Sequence, residues 1–162
     1  MIRKASAALI ALLTVVGFNI LAVSPAQAVG SSVLWNQTDK CATPEGNSLD
    51  NGTVITVWSC TGSDLQKWHW DGFLLVNDAS GKCMTPRGNA SDANGAVLTL
   101  WTCDPYAIPS PQRFNYEADH IWTLHGTKCI TSEGNSLDNG TWLTLWTCGT
   151  PNNDPQSWQI VG

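Results

Sequence analysis

The stretch KCATPEGNSLDNGTVITVWSC, residues 40–60, returns as KCMTPRGNASDANGAVLTLWTC at 82–103 and as KCITSEGNSLDNGTWLTLWTC at 128–148. Each copy closes on Gln-x-aromatic: Gln66-Lys67-Trp68, Gln112-Arg113-Phe114 and Gln156-Ser157-Trp158. A period of about forty residues marks one supersecondary unit used three times, none able to bury its apolar face alone. The three repeats run over about 31–71, 72–119 and 120–162. Each opens on a short apolar segment (Val33-Leu34-Trp35, Phe73-Leu74-Leu75-Val76, Ile121-Trp122-Thr123-Leu124), followed by Lys-Cys-x-Thr, a loop rich in Gly, Asn, Ser and Asp, and a β-rich run ending Trp-x-Cys. Four short strands per unit, with no helical periodicity, predict an all-β fold.

Residues 1–28 read as a cleaved signal peptide: Arg3 and Lys4, an apolar run from Ala7 to Val23, then Ala26-Gln27-Ala28. The expected mature domain is therefore 29–162, secreted and without membrane insertion. The chain carries a net charge of −5, and only 13% of its residues are charged while nine are Trp. An acidic balance argues against nucleic acid, which needs clustered Lys and Arg. A surface built from amides, hydroxyls and indoles suits a neutral polar ligand. Oligomeric state is not legible from these features.

Six cysteines in an exported chain read as three disulfides. Each repeat holds two, so the expected pairs are Cys41–Cys60, Cys83–Cys103 and Cys129–Cys148. Zinc is the competing use, but no Cys-x-x-Cys occurs and the three His do not repeat, so no metal and no cofactor are expected.

Alternation in the third strand of each unit carries the functional argument, because strand side chains point to opposite faces with period two. Ile55 and Val57, Leu98 and Leu100, Leu143 and Leu145 take the core face. Thr56 and Trp58, Thr99 and Trp101, Thr144 and Trp146 take the other. In Lys-Cys-x-Thr the apolar Ala42, Met84 and Ile130 point inward, so Thr43, Thr85 and Thr131 are expected outward, beside the indoles. An outward indole among hydroxyls is either a lid over the disulfide or a stacking platform for a sugar ring. Threefold recurrence favours the platform.

Three copies, an internal Cys pair in each and the closing Gln-x-Trp resemble the ricin B-chain type lectins, the (QxW)₃ β-trefoil family, over essentially the whole mature chain. The resemblance implies a six-stranded barrel capped by three hairpins, with pseudo-threefold symmetry. It also implies binding of a glycan or polysaccharide without metal and without catalysis. Carried over residue by residue, the family's stacking aromatic stands as Trp58, Trp101 and Trp146. The polar residue two before it is Thr56, Thr99 and Thr144. The family's sugar-bonding Asp, two after the first Cys, is replaced by Thr43, Thr85 and Thr131. Its Asn before Gln-x-Trp is replaced by Leu65, Pro111 and Pro155. A neutral hydrogen bond is roughly half as strong as a charge-assisted one, so up to three weak sites are expected. Copies one and three share EGNSLDNGT, whereas copy two has Arg87 for Glu and Ala90 for Ser, so any altered site is expected in copy two.

Two other readings compete. A β-trefoil protease inhibitor or other protein-binding module would act through one exposed loop, and Asp104 to Pro111 is the candidate. A secreted hydrolase would use paired carboxylates such as Glu45 with Asp50 or Glu133 with Asp138, which glycoside hydrolysis needs about 5–9.5 Å apart; copy two keeps only Asp92 nearby.

Overall fold

A computed structural model describes residues 31–35, 40–149 and 155–161. The expected signal peptide lies outside the described residues. Among the described residues twelve strands run in chain order, four per repeat. The first repeat holds β1 (Ser31–Trp35), β2 (Lys40–Pro44), β3 (Ile55–Ser59) and β4 (Lys67–Asp71). The second holds β5 (Leu74–Asn77), β6 (Lys82–Pro86), β7 (Leu98–Trp101) and β8 (Phe114–Glu117). The third holds β9 (His120–Thr123), β10 (Lys128–Ser132), β11 (Leu143–Thr147) and β12 (Trp158–Val161).

The first and fourth strands of the repeats close a barrel. β1 pairs antiparallel with both β12 and β4, β4 pairs with β5, and β8 pairs with β9. Two bridges complete the ring, Leu74 with Arg113 and His120 with Ser157. The second and third strands form three hairpins, β2–β3, β6–β7 and β10–β11. This is the expected β-trefoil.

One core lies between barrel and hairpins. The closing aromatics Trp68, Phe114 and Trp158 are fully buried, with the apolar x of each Lys-Cys-x-Thr and both core-facing residues of each third strand. The indole nitrogens of Trp68 and Trp158 donate to the carbonyls of Ala42 and Ile130, each at 3.0 Å. Phe114 carries no such donor, so copy two keeps the packing without this bond. Three disulfides join Cys41–Cys60, Cys83–Cys103 and Cys129–Cys148, each within its repeat as expected. Closing loops of this length contributes about 3 kcal/mol per bridge in the chain-entropy model.

The loops between second and third strands lock the repeats to one another. In each, the Asn-Gly turn reaches across to the third strand of the next repeat. Gly52 N–H donates to the Leu100 carbonyl (2.8 Å), Gly95 to Leu145 (2.8 Å), and Gly140 back to Val57 (2.9 Å). Return bonds run from the amides of Leu100, Leu145 and Val57 to Thr53, Ala96 and Thr141. The turn asparagines add side-chain bonds in the same cyclic order, Asn51 to Thr102, Asn94 to Thr147 and Asn139 to Ser59. These turn glycines have φ of +80° to +91°, a conformation costly for any residue with a Cβ.

Candidate functional site

Each repeat carries one cleft on the outer side of its hairpin, between the Gly-Asn turn after the second strand and the loop before Gln-x-aromatic. The Gly-Asn turn follows from its residues. Gly46-Asn47, Gly88-Asn89 and Gly134-Asn135 all lie in the left-handed region, with φ near +60°, which Gly and Asn tolerate best. Along the cleft stands the outward indole, Trp58, Trp101 or Trp146, with 45%, 48% and 51% of its surface exposed. One edge of each indole runs beside the turn glycine of the preceding repeat. A Cβ added at Gly140, Gly52 or Gly95 would come within 3.7–3.8 Å of ring carbon Cζ3. Every cleft is thus assembled from two repeats, its platform from one and its flank from another.

The threonines sit beside the indoles, but not as open hydroxyls. Thr43, Thr85 and Thr131, and likewise Thr56, Thr99 and Thr144, are buried. Thr43 Oγ1 donates to the Cys41 carbonyl (3.0 Å) and accepts from Gln66 Nε2 (3.0 Å). Thr56 Oγ1 donates to the Thr43 carbonyl (3.0 Å). Thr85 and Thr99 repeat both donations, each at 3.0 Å, and Gln112 Nε2 donates to Thr85 Oγ1 at 2.9 Å. All six lie on the face opposite the core, as alternation predicts, and line the three clefts. In copies one and two the second-strand carbonyls accept their hydroxyl protons, while the glutamine amide donates to the oxygen of Thr43 or Thr85.

The glutamine of each Gln-x-aromatic ties the cleft floor together. Gln66 Oε1 accepts from Thr61 N (2.7 Å) while its amide also donates to the Ser59 carbonyl (3.0 Å). Gln112 repeats this with Asp104 N and the Thr102 carbonyl, and Gln156 with Gly149 N and the Thr147 carbonyl. In copies one and two this buried carboxamide, with two donors and an acceptor, meets two backbone groups and a threonine hydroxyl at once.

The second cleft is larger, not diminished. It encloses about 670 Å³ against about 450 Å³ in the first, because the longer Asp104–Pro111 loop walls one side with Ala107, Pro109 and Pro111. Asp104 Oδ1 braces this loop by accepting the N–H groups of Tyr106 and Ala107 (3.1 and 3.0 Å). Copy two also departs elsewhere. In copies one and three the hydroxyls of Ser48 and Ser136 accept from Thr53 and Thr141 inside the loop. Ala90 and Ala96 lack both partners, and the loop instead docks on the third repeat, where Ser91 O accepts from Thr123 Oγ1 at 2.9 Å.

Three of the carboxylates weighed for hydrolysis are engaged in hydrogen bonds. Glu45 Oε1 accepts from Trp142 Nε1 (3.4 Å), while Asp50 and Asp138 bond Ser48 and Ser136 within their turns. Among the described residues, no group of three or more His, Cys, Asp or Glu is placed to hold a metal ion.

A threefold β-barrel capped by hairpins, with an indole-lined cleft in each repeat, defines a β-trefoil of the lectin kind. Family profiles agree: a ricin-type beta-trefoil lectin domain matches residues 72–161, and a ricin-type beta-trefoil lectin domain-like profile matches 24–101. The chain belongs to the ricin-type beta-trefoil lectin domain family, whose members are carbohydrate-binding domains. It is 38% identical over 48 residues to a probable lipoprotein EnvE of Salmonella typhimurium, a match covering 30% of this chain and 28% of that protein. Among solved structures, it resembles the exo-beta-1,3-galactanase 1,3Gal43A of Clostridium thermocellum (TM-score 0.70, 23% identity), covering 84% of this chain but 30% of that one. It also resembles the ricin B-like lectin of Macrolepiota procera, solved with lactose (TM-score 0.62, 18% identity, 81% of this chain and 93% of that one).

Proposed function

We propose that this chain is a secreted, non-catalytic glycan-binding protein with up to three weak sites, one per repeat. The observation that carries the reading is the recurrence of a half-exposed indole, Trp58, Trp101 or Trp146, along a cleft in each of three equivalent places. A sugar stacks its C–H face on such a ring. Polar contacts come from groups around the indole that line the clefts: Thr43, Thr56, Thr85, Thr99, Thr131 and Thr144, and Asn47, Asn89 and Asn135 of the Gly-Asn turns. The Macrolepiota lectin's complex with lactose supports a sugar as ligand. Three disulfides suit an oxidising compartment and support export. The engagement of Asp50 and Asp138 in their turns and of Glu45 with an indole supports the non-catalytic reading.

The test is a glycan array on residues 29–162, followed by calorimetric titration of the best polymer. Trp58→Ala and Trp146→Ala are expected to weaken polymer binding by similar amounts, and the double variant by much more than either, because linked weak sites gain from effective concentration. Binding is expected to survive EDTA. Affinity unchanged in the folded double variant, or lost on chelation and restored by calcium, refutes the reading.

A second reading has one observation in its favour. Tyr106 and Ile108, at the tip of the braced Asp104–Pro111 loop, are 89% and 85% exposed, as an anchor for a protein partner would be. A Tyr106→Ser, Ile108→Ser variant that keeps glycan binding yet loses a protein ligand supports it.

A further inference from the structure

We infer that the second cleft is a site for an anionic sugar, a glycan residue bearing a carboxylate or a sulfate, and that Arg87 is the residue that selects it. This rests on the glycan-binding reading and assigns a distinct ligand class to one of its three sites.

Three positions are equivalent by repeat and by geometry: each directly follows the second strand and opens the Gly-Asn turn. In each, the backbone N–H bonds to the hairpin's other arm, Glu45 to Val54, Arg87 to Val97 and Glu133 to Trp142, at 2.8–2.9 Å. All three residues line their own cleft. The residue at this position is thus Glu in the first and third clefts and Arg in the second, with the Glu45 carboxylate accepting from Trp142 Nε1. On a chain whose net charge is −5, an anion meets repulsion at two clefts and a local cation at one.

The guanidinium is held in place rather than left on a free stem. Its Cζ stands 5.8 Å from the centroid of the Trp142 ring, within the range of a cation–π contact. Trp142 comes from the third repeat, at the position where the other copies have Val54 and Val97, and only an aromatic there reaches across. The ring is in turn tethered by its Nε1 to Glu45 of the first repeat. Two departures from the repeat pattern, Arg87 in copy two and Trp142 in copy three, therefore meet at one place.

The donors of that guanidinium are available. Among the described residues the ion pairs are Lys67–Asp64 and His69–Asp78, and Arg87 takes part in neither. The other charged group lining the cleft, Asp104, lies on the loop wall with Oδ1 engaged by two backbone amides. A planar guanidinium matches a carboxylate or sulfate with two parallel N–H···O bonds. Trp101 supplies the stacking face in the same cleft.

The experiment follows the indole N–H resonances of Trp58, Trp101 and Trp146, assigned by single Trp→Phe variants, through titrations at low and high salt. The probes are the methyl glycosides of galactose and glucose, the matching methyl uronosides, and galactose 6-sulfate. The charged sugars are expected to shift Trp101 at about tenfold lower concentration than the neutral ones at low salt, with the preference shrinking at high salt. They are not expected to show this preference at Trp58 or Trp146. Arg87→Glu, which gives copy two the residue of its sister copies, is expected to abolish the preference while Trp58 and Trp146 respond as before. Glu45→Arg is expected to raise the response of Trp58 to charged sugars. A preference for the uronosides alone, or for both anions, supports the assignment and tells carboxylate from sulfate. Equal responses at Trp101 to charged and neutral sugars, or a preference that survives Arg87→Glu and Arg87→Gln, overturns it. If neutral sugars bind and only the charge contrast is missing, Arg87 alone loses its role; if no sugar moves any of the three indoles, the glycan-binding reading falls as well.

Discussion

Trp58 and Trp68 lie ten positions apart in one repeat and should respond to truncation in opposite ways. Trp68 is fully buried in the core and donates its indole N–H to the Ala42 carbonyl. Removing a buried aromatic of this size costs about 3–5 kcal/mol through lost burial and cavity formation. The abandoned carbonyl adds about 1–3 kcal/mol. Against a total stability of about 5–15 kcal/mol, Trp68→Ala is expected to leave much of the protein unfolded. Trp58 keeps 45% of its surface in water, so roughly half the cavity cost applies, about 1.5–2.5 kcal/mol. The protein should stay folded while polymer binding weakens. Urea denaturation gives both stabilities, and calorimetry at a temperature where the Trp58→Ala variant is folded gives its affinity. A Trp58→Ala loss equal to that of Trp68→Ala, with the affinity of the folded fraction untouched, would show that the outward indoles are lids over the disulfides and no platform.

Two further substitutions test how the repeats are joined. Asn139 Oδ1 accepts from Ser59 N, Ser59 Oγ and Lys40 Nζ across the boundary between the third and first repeats, so Asn139→Ala should cost about 1–2 kcal/mol and loosen the flank of the first cleft. A melting temperature equal to the parent's would refute the clasp as a stabilising contact. Gly126 packs so closely that an added Cβ would fall 2.0 Å from Ser91 O and 2.5 Å from Asp92 Cα, both backbone atoms. Gly126→Ala should therefore destabilise by about 1–3 kcal/mol or more, whereas Gly81→Ala, at the matching turn of copy two with open space around it, should show only the smaller cost of its positive φ. Equal melting temperatures for these two variants would rule out the tight docking of the second loop on the third repeat.

Much of this architecture is legible in the chain alone, because it rests on local periodicity repeated three times. Period-two alternation in a strand fixes which side chains share a face whatever packs against them, so the core-facing pairs and the outward indoles are readable from residues 54–60 and their copies. The Cys pairing is readable because each repeat must close on itself. What the chain could not disclose is set by contact between segments far apart in the sequence. Face assignment says that Thr43 lies opposite the core, but not that Gln66, more than twenty residues away, folds back and donates to its hydroxyl. The Asn-Gly turns look like plain loop, since their partners are in the next repeat and only closure of the threefold ring brings Asn139 to Ser59. Arg87 reads as a local deviation from Glu until the barrel sets Trp142 of another repeat beneath it. Alternation is a property of one strand and survives in the linear sequence; burial, clasping and charge placement depend on which distant segments the closed barrel brings together, and that is decided only in three dimensions.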